Sequence, residues 1–379
     1  SGATATNGTI LWTHNGAGSI TGGATTLTPT YTAAAGDAGN TITLTMTVSN
    51  APCAAAVATY SVIVSTTPTA SAGGSQTICQ NGTATVSGAA SSNGTILWTH
   101  DGTGSITAGA TTLTPVYTAA AGDAGNTVTL TMTVSNSPCV AAVATYSVIV
   151  KGTPTASAGG TQTICQNGTA TVSGAGATNG AILWTENGAG SITAGATTLT
   201  PVYTAAAGDA GNTVTLSMTV SNAPCADAVA TYSVTVFSLP TASAGGSQTI
   251  CQNGTATVSG ASSTNGTILW THNGAGSIAG ATTLTPVYTA SVADGGNTVT
   301  LTMTISNNPC TAATATYSVI VMGSPAASAG GTQTICQNGT ATVSGATATN
   351  GTILWTENGA GSITAAVSYT HLRAHETKA

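Results

Sequence analysis

The stretch Asn126–Val134, NTVTLTMTV, decides the fold. Val128, Leu130, Met132 and Val134 alternate with Thr127, Thr129, Thr131 and Thr133, which predicts a strand with one apolar and one hydroxyl face. Outward from it, ATYSVIV sets Tyr146, Val148 and Val150 on one parity, and GTATVSG and TILWTH predict shorter strands. Asn-Gly pairs at Asn81 and Asn93 and the GDAGN corner at Asp123 supply turns between them. Helical periodicity is missing throughout. Roughly seven short strands with turns every 8 to 12 residues or so describe a two-sheet antiparallel sandwich.

The pattern is a tandem array. ILWTHNGAGSI at Trp12 returns as ILWTHDGTGSI at Trp98, ILWTENGAGSI at Trp184, ILWTHNGAGSI at Trp270 and ILWTENGAGSI at Trp355, with spacings of 86, 86, 86 and 85 residues. Each repeat opens at the proline of PTASAGG (Pro68, Pro154, Pro240) or PAASAGG (Pro325). Just before it the copies diverge into STT, KGT, FSL and MGS, and variation confined to a short connection marks a linker. The predicted frame is a partial repeat over 1–66, complete repeats over 67–152, 153–238 and 239–323, and a partial repeat over 324–365. A repeat of this length exceeds the roughly 20 to 45 residues of a solenoid coil, so each is expected to enclose its own core like a bead on a string.

Composition narrows the functional classes. Only 3% of the 379 residues are charged, so threonine, serine, asparagine and glycine must solvate the surface. The net charge of −6, from 9 acids and 3 bases, leaves no basic stripe for phosphates, and nucleic acid is not an expected partner. No apolar run is long enough for a membrane span in this fragment. The chain opens on Ser1 without a charged-then-apolar leader, so no signal peptide is expected within it, which leaves the parent protein open.

The order Cys79, ILW at Trp98, then TPVYTAAAGDAGNTVTLTMTVSNSPC ending at Cys139 resembles the PKD-like and immunoglobulin-like repeats of large bacterial surface and secreted proteins. The resemblance covers residues 1 to about 365, and the Y-T…GDAGNTVTLT…C stretch is its specific part. It implies an all-β array of immunoglobulin-like sandwiches, export, and an adhesive or stalk role without catalytic residues. In antibody domains the second cysteine lies within a strand, whereas Cys139 follows the end of one, so any bridge here should join loops.

Cysteines recur at Cys53, Cys79, Cys139, Cys165, Cys225, Cys251, Cys310 and Cys336, without C-x-x-C or zinc spacing. Disulfides would place the protein in an oxidising compartment, extracellular or at the cell surface. Two pairings are open: within repeats (Cys79–Cys139, Cys165–Cys225, Cys251–Cys310) or across joints (Cys53–Cys79 and onward). Chain-entropy estimates of about 4 and about 3.5 kcal/mol do not separate them. The within-repeat set is expected, because a unit folding alone should carry its own staple and the resemblance agrees.

The tryptophans Trp12, Trp98, Trp184, Trp270 and Trp355 could stack on sugars, but in this pattern they are expected to fill the core. After each WT the array reads His14, His100, Glu186, His272 and Glu357; imidazole and carboxylate would not interchange at a ligand or base, so an exposed strand end is expected. Asp37, Asp123, Asp209 and Asp294 sit in GDAGN-type corners. Each repeat is poor in acids, so a turn-bonding aspartate is favoured over a calcium ligand. The threonine rows, too short for an extended ice-like lattice, are read as solvated strand faces. NGT at Asn7, Asn81, Asn93, Asn167, Asn253, Asn265, Asn338 and Asn350 matches both a glycosylation sequon and a hairpin turn.

No nucleophile elbow, carboxylate pair or phosphate loop is present, and no metal, cofactor or catalytic residue is expected. The expected function is a non-enzymatic stalk or spacer of a secreted bacterial adhesin-like protein. The alternatives are a multivalent module for surface glycan or protein ligands, with loops at Asp101, Asn187 and Asn273, or an accessory region of an enzyme whose catalytic domain lies elsewhere. Prolines at the joints and a bridge in each repeat are expected to limit strand exchange between near-identical neighbours. After GSITA the fifth copy leaves the register and ends AVSYTHLRAHETKA. Residues 366–379, with His371 and His375 at i, i+4, resemble translated sequencing-adapter read-through and are expected to be a non-native tail without stable packing.

Overall fold

The computed structural model describes residues 2–364. The expectation for 366–379, His371 and His375 included, lies outside the described residues.

The repeat from Pro68 folds as nine strands: β1 (Thr69–Ser71), β2 (Ser75–Cys79), β3 (Thr83–Thr85), β4 (Ala90–Ser92), β5 (Thr95–His100), β6 (Ser105–Ala108), β7 (Val116–Thr118), β8 (Thr127–Ser135) and β9 (Ala142–Lys151). One layer is a four-stranded sheet in the order β5-β8-β9-β2. The other holds a three-stranded sheet, β6-β7-β3, and the pair β1-β4. All pairings are antiparallel except β2 with β9, which run parallel. The expected seven strands fall short by the three-residue pair β1-β4, too brief for alternation to show.

The period-two reading of β8 places its apolar face inward. Val128, Leu130, Met132 and Val134 are buried, Trp98 lies opposite Met132, and Tyr146 lies opposite Leu130. Tyr117, Val148 and Val150 close the same cluster, together with Ala84 and Val86 from the facing layer. Burying aromatic and branched side chains from both layers stabilises each sandwich by roughly 1.5–3 kcal/mol per large side chain. Turn chemistry agrees with the strand limits: Asn81 and Asn93 adopt φ of 62° and 57°, a left-handed conformation that asparagine tolerates and branched residues avoid. The repeats from Pro154 and Pro240 reproduce these sheets and cores.

The two ends differ. Residues 2–66 form the sheet of Thr9–His14, Thr41–Ser49 and Ala56–Ile63 with the pair Ser19–Gly22 and Thr30–Thr32, around Trp12, Ile42, Leu44 and Met46. Residues 324–364 carry one pair, Ala326–Ser328 with Thr347–Thr349. Pro68, Pro154 and Pro240 are buried, whereas Pro325 is exposed.

Candidate functional site

Two constellations recur in every complete repeat: a buried carboxylate corner and a cysteine clip at the joint. The corner forms where the chain enters β8 through a short 3-10 turn, Ala121–Asp123, which directs the aspartate inward. Asp123 Oδ1 accepts from the Thr103 N–H at 2.6 Å and the Thr103 hydroxyl at 2.9 Å. Its Oδ2 accepts from the Tyr117 hydroxyl at 2.7 Å, the Ala120 N–H at 2.9 Å and the Gly104 N–H at 3.1 Å. Asp37, Asp209 and Asp294 repeat the arrangement with Tyr31, Tyr203 and Tyr288.

Burial opposes ionisation of Asp123, but the hydrogen bonds from Tyr117, the Thr103 and Ala120 N–H groups and the Thr103 hydroxyl outweigh it and hold the carboxyl well below its usual range. Burial, reinforced by the bond to Asp123, pushes the Tyr117 phenol up to about 12. Lone pairs that already face N–H and O–H donors are turned away from a cation. The corner therefore bonds more than its own turn: it ties the β5–β6 loop to β7. Sequence reasoning missed Gly102 and Gly104. A side chain on either would strike the Tyr117 hydroxyl or the Thr118 carbonyl. The signal for them was present in the G-x-G that every copy keeps in NGAGS or DGTGS.

The second constellation lies where one repeat hands over to the next. The parallel β2–β9 register sets Cys79 opposite Lys151, at the exit of the repeat. Cys225 follows the cis Ala223–Pro224 bond in the loop after Thr213–Ser221, and its Sγ lies 3.6 Å from the carbonyl oxygens of both Lys151 and Gly152. Cys79 and Cys225 are disulfide-bonded, with Cα atoms 5.0 Å apart. At the following joint Cys165 lies opposite Phe237, and it is bonded to Cys310 with Cα atoms 5.2 Å apart.

Neither expected pairing occurs. Cys79 does not meet Cys139, because the two occupy opposite ends of their repeat: Cys79 is at the exit, whereas Cys139 Sγ lies 3.6 and 3.5 Å from the Ser65 and Thr66 carbonyls at the entry. Cys165–Cys225 and Cys251–Cys310 fail for the same reason; the across-joint Cys53–Cys79 does not form either, since Cys79 is held by Cys225 and Cys53 is unpaired among the described residues. Each bridge instead joins a cysteine of the TICQNG strand to the P-C cysteine of the next repeat. Cys53, Cys139, Cys251 and Cys336 are unpaired among the described residues.

Asparagines complete the joints. Asn136, Asn222 and Asn307 donate to the carbonyls of Thr66, Gly152 and Ser238 at 2.8, 2.9 and 2.8 Å. Asn93, Asn179 and Asn265 donate to those of Thr67, Thr153 and Leu239 at 3.1, 3.0 and 3.0 Å. Asn179 belongs to NGA, not NGT, and makes the same bond, so the joint contact does not depend on the sequon.

The remaining candidates are dispersed. Trp12, Trp98, Trp184 and Trp270 are buried, each donating its indole N–H to a carbonyl at 2.9–3.0 Å, while Trp355 is half-buried. The expected exposure after WT holds for Glu186 and Glu357. His14, His100 and His272 are instead half-buried, their rings tilted against Tyr31, Tyr117 and Tyr288 at 5.1, 5.2 and 5.1 Å. The loop groups Asp101, Asn187 and Asn273 accept from the N–H groups of Thr129, Thr215 and Thr300 at 2.7–2.8 Å, which occupies them in holding the neighbouring strand. Among the described residues no group of three or more His, Cys, Asp or Glu could hold a metal ion, and no helix is long and apolar enough to cross a membrane.

No family model matches the chain, and no curated protein matches it. Among solved structures it is similar to mouse cadherin-23 EC22-24, at 13% identity and TM-score 0.34 over 68% of this chain and 99% of that one. It is similar too to Drosophila N-cadherin EC1-4, at 12% identity and TM-score 0.31 over 84% and 93%. Sidekick-1 immunoglobulin domains 1-4 match at 12% identity and TM-score 0.31 over 83% and 90%. The layered sheets and their separate cores make the fold class here all-β, a tandem array of immunoglobulin-like sandwiches.

Proposed function

We propose that the chain is a segment of an extracellular stalk of a bacterial adhesin-like, PKD-type surface protein, in which the repeats at 67–152, 153–238 and 239–323 are the folding units and the role is structural, not enzymatic. The carrying observation is the interlocked pair of disulfides. With Cys79 bonded to Cys225 and Cys165 to Cys310, the shortest covalent path from Cys79 to Cys310 runs through only the 60 residues from Cys165 to Cys225, against 231 along the chain. At about 3.5 Å per extended residue, pulling lengthens that span to about 200 Å instead of about 800 Å. A spacer that must not unravel gains from this, and near-identical copies supply length interchangeably. Single-molecule pulling from residues flanking Cys79 and Cys310 should release the longer extension only after reduction; equal extension with and without reductant would sink the reading.

One observation favours a second reading, a multivalent surface for protein or glycan ligands. On the outer face of the large sheet Leu97, Thr133 and Val143 lie in one cross-strand row, with both apolar side chains more than half exposed, and Leu11-Thr47-Val57 and Leu183-Thr219-Val229 repeat the row. Glycan-array or cell binding abolished by Leu97→Asp and Leu183→Asp would select this reading over the spacer.

A further inference from the structure

The NGT triplets fall into two structural groups. In the group that opens the tryptophan strand, both polar side chains are committed. Asn93 and Asn265 donate to the Thr67 and Leu239 carbonyls, and the hydroxyls of Thr95 and Thr267 donate to the Ser135 and Ser306 carbonyls at 3.4 and 3.3 Å. The copy at Asn179 keeps the asparagine and its bond but has Ala181 in place of the threonine. Joint and hairpin account for this group.

The second group, Asn81, Asn167 and Asn253, occupies the turn between β2 and β3 and its equivalents, two residues past the TICQNG cysteine. The fold explains the first two residues of each triplet. The asparagines take left-handed φ values of 62°, 62° and 61°, and a Cβ on Gly82, Gly168 or Gly254 would meet the preceding cysteine carbonyl at 2.7–2.8 Å. The third residue has no such cause. Thr83, Thr169 and Thr255 are exposed, and neither their hydroxyls nor the three asparagine amides meet a hydrogen-bond partner among the described residues. Every copy of this turn, that at Asn338 included, nonetheless reads NGT.

We propose that Asn81, Asn167 and Asn253 carry N-linked sugar, transferred from a phosphate-activated hexose donor by a sequon-reading glycosyltransferase, and that Asn93 and Asn265 stay bare. An exposed amide free of the joint, followed two places on by an exposed threonine, is the acceptor pattern such an enzyme reads. The bond from Nδ2 to sugar C1 forms as that from C1 to the phosphate oxygen breaks. The amide gives up one proton, and the phosphate leaves with the electron pair. At Asn93 the same step must first pull the amide from the Thr67 carbonyl. Two features of the fold give the sugar a use at Asn81. β3 is an edge of the β6-β7-β3 sheet, and a bulky hydrophilic group at its start blocks pairing with a strand of another molecule. With only 3% of residues charged, the surface has few other groups that keep neighbours apart.

Glycopeptide mapping of the chain isolated from the cells that make it is the test, and hexose on Asn81, Asn167 and Asn253 with bare Asn93 and Asn265 is the expected result. The same selection should hold in vitro. The folded, oxidised full chain, incubated with a soluble sequon-reading glucosyltransferase and UDP-glucose, should gain glucose at the first three asparagines, with occupancy about tenfold lower at Asn93 and Asn265. Reduced and alkylated chain, kept unfolded, should lose that difference. Thr83→Ala should empty Asn81 alone and leave the melting temperature unchanged, because its hydroxyl holds nothing in the fold. Isolated chain bare at all three asparagines, equal occupancy of Asn93 in the folded chain, or a Thr83→Ala variant that unfolds would overturn the proposal.

Discussion

The repeat at 153–238 and the half-repeat at 1–66 share almost the same residues from the tryptophan strand onward, yet only the first closes its core. Trp184, Leu216 and Met218 have near-identical counterparts in Trp12, Leu44 and Met46, and all six are buried. The difference lies one strand further out. Tyr232 and Val236 are covered by the parallel strand Thr161–Cys165, and Tyr60 and Val64 are not covered. The central hairpin thus makes its own half of the core, while the segment from PTASAGG to TATV supplies the cover and, through its cysteine, the hold on the next repeat. Sandwich and joint are completed by the same strand.

The largest expected effect separates the repeats by core completeness. Trp184→Ala should cost about 3–5 kcal/mol within its repeat, as expected for a buried large-to-small change, and Trp355→Ala, at a half-buried site, should stay within about 0.5 kcal/mol. Trp12→Ala should fall between them. Urea titration followed by amide hydrogen exchange, resolved repeat by repeat, measures all three.

A second difference is electrostatic. Burial opposes ionisation of Asp209, but bonds from Tyr203 and from the Ala189, Ala206 and Gly190 N–H groups hold its folded carboxyl below the usual range. Its contribution is present above the unfolded value near about 4 and is lost as pH falls through the folded one. The phenols titrate at the other end. Tyr117 and Tyr288 are pushed up to about 12, chiefly by burial, so their contribution is complete below about pH 10 and is lost as pH rises through about 12. The melting temperature should therefore hold level between about pH 5 and 9 and fall on both sides. Asp209→Asn should flatten the acid limb for its own repeat and leave that of the neighbours.

The smallest effect concerns the joints. Asn222→Ala removes the 2.9 Å bond to the Gly152 carbonyl and should cost about 0.5–1.5 kcal/mol. It should also raise exchange locally at residues 150–154, with the cores unchanged.

Much of this was legible in the residues. Alternation in Thr127–Ser135 announced the buried face, and Asn-Gly pairs announced the turns. The internal period announced the repeats. The corner was legible only in part, since the aspartate could be read as a turn residue while its partners, Tyr117 and the N–H groups of Thr103 and Gly104, come from other strands and loops. The joints were not legible. Which cysteine meets which depends on the parallel pairing that sets Cys79 opposite Lys151, and no local pattern reports a pairing between segments about 70 residues apart. The clue that remained was parity: Ile78 points inward, so Cys79 beside it points out of its own core, toward a partner elsewhere.

Peptic mapping of the unreduced chain, with the cross-linked peptides identified by mass spectrometry, tests the interlocked joint directly. Peptides joining Cys79 to Cys225 and Cys165 to Cys310 are the predicted result; peptides joining Cys79 to Cys139 and Cys165 to Cys225 would contradict it.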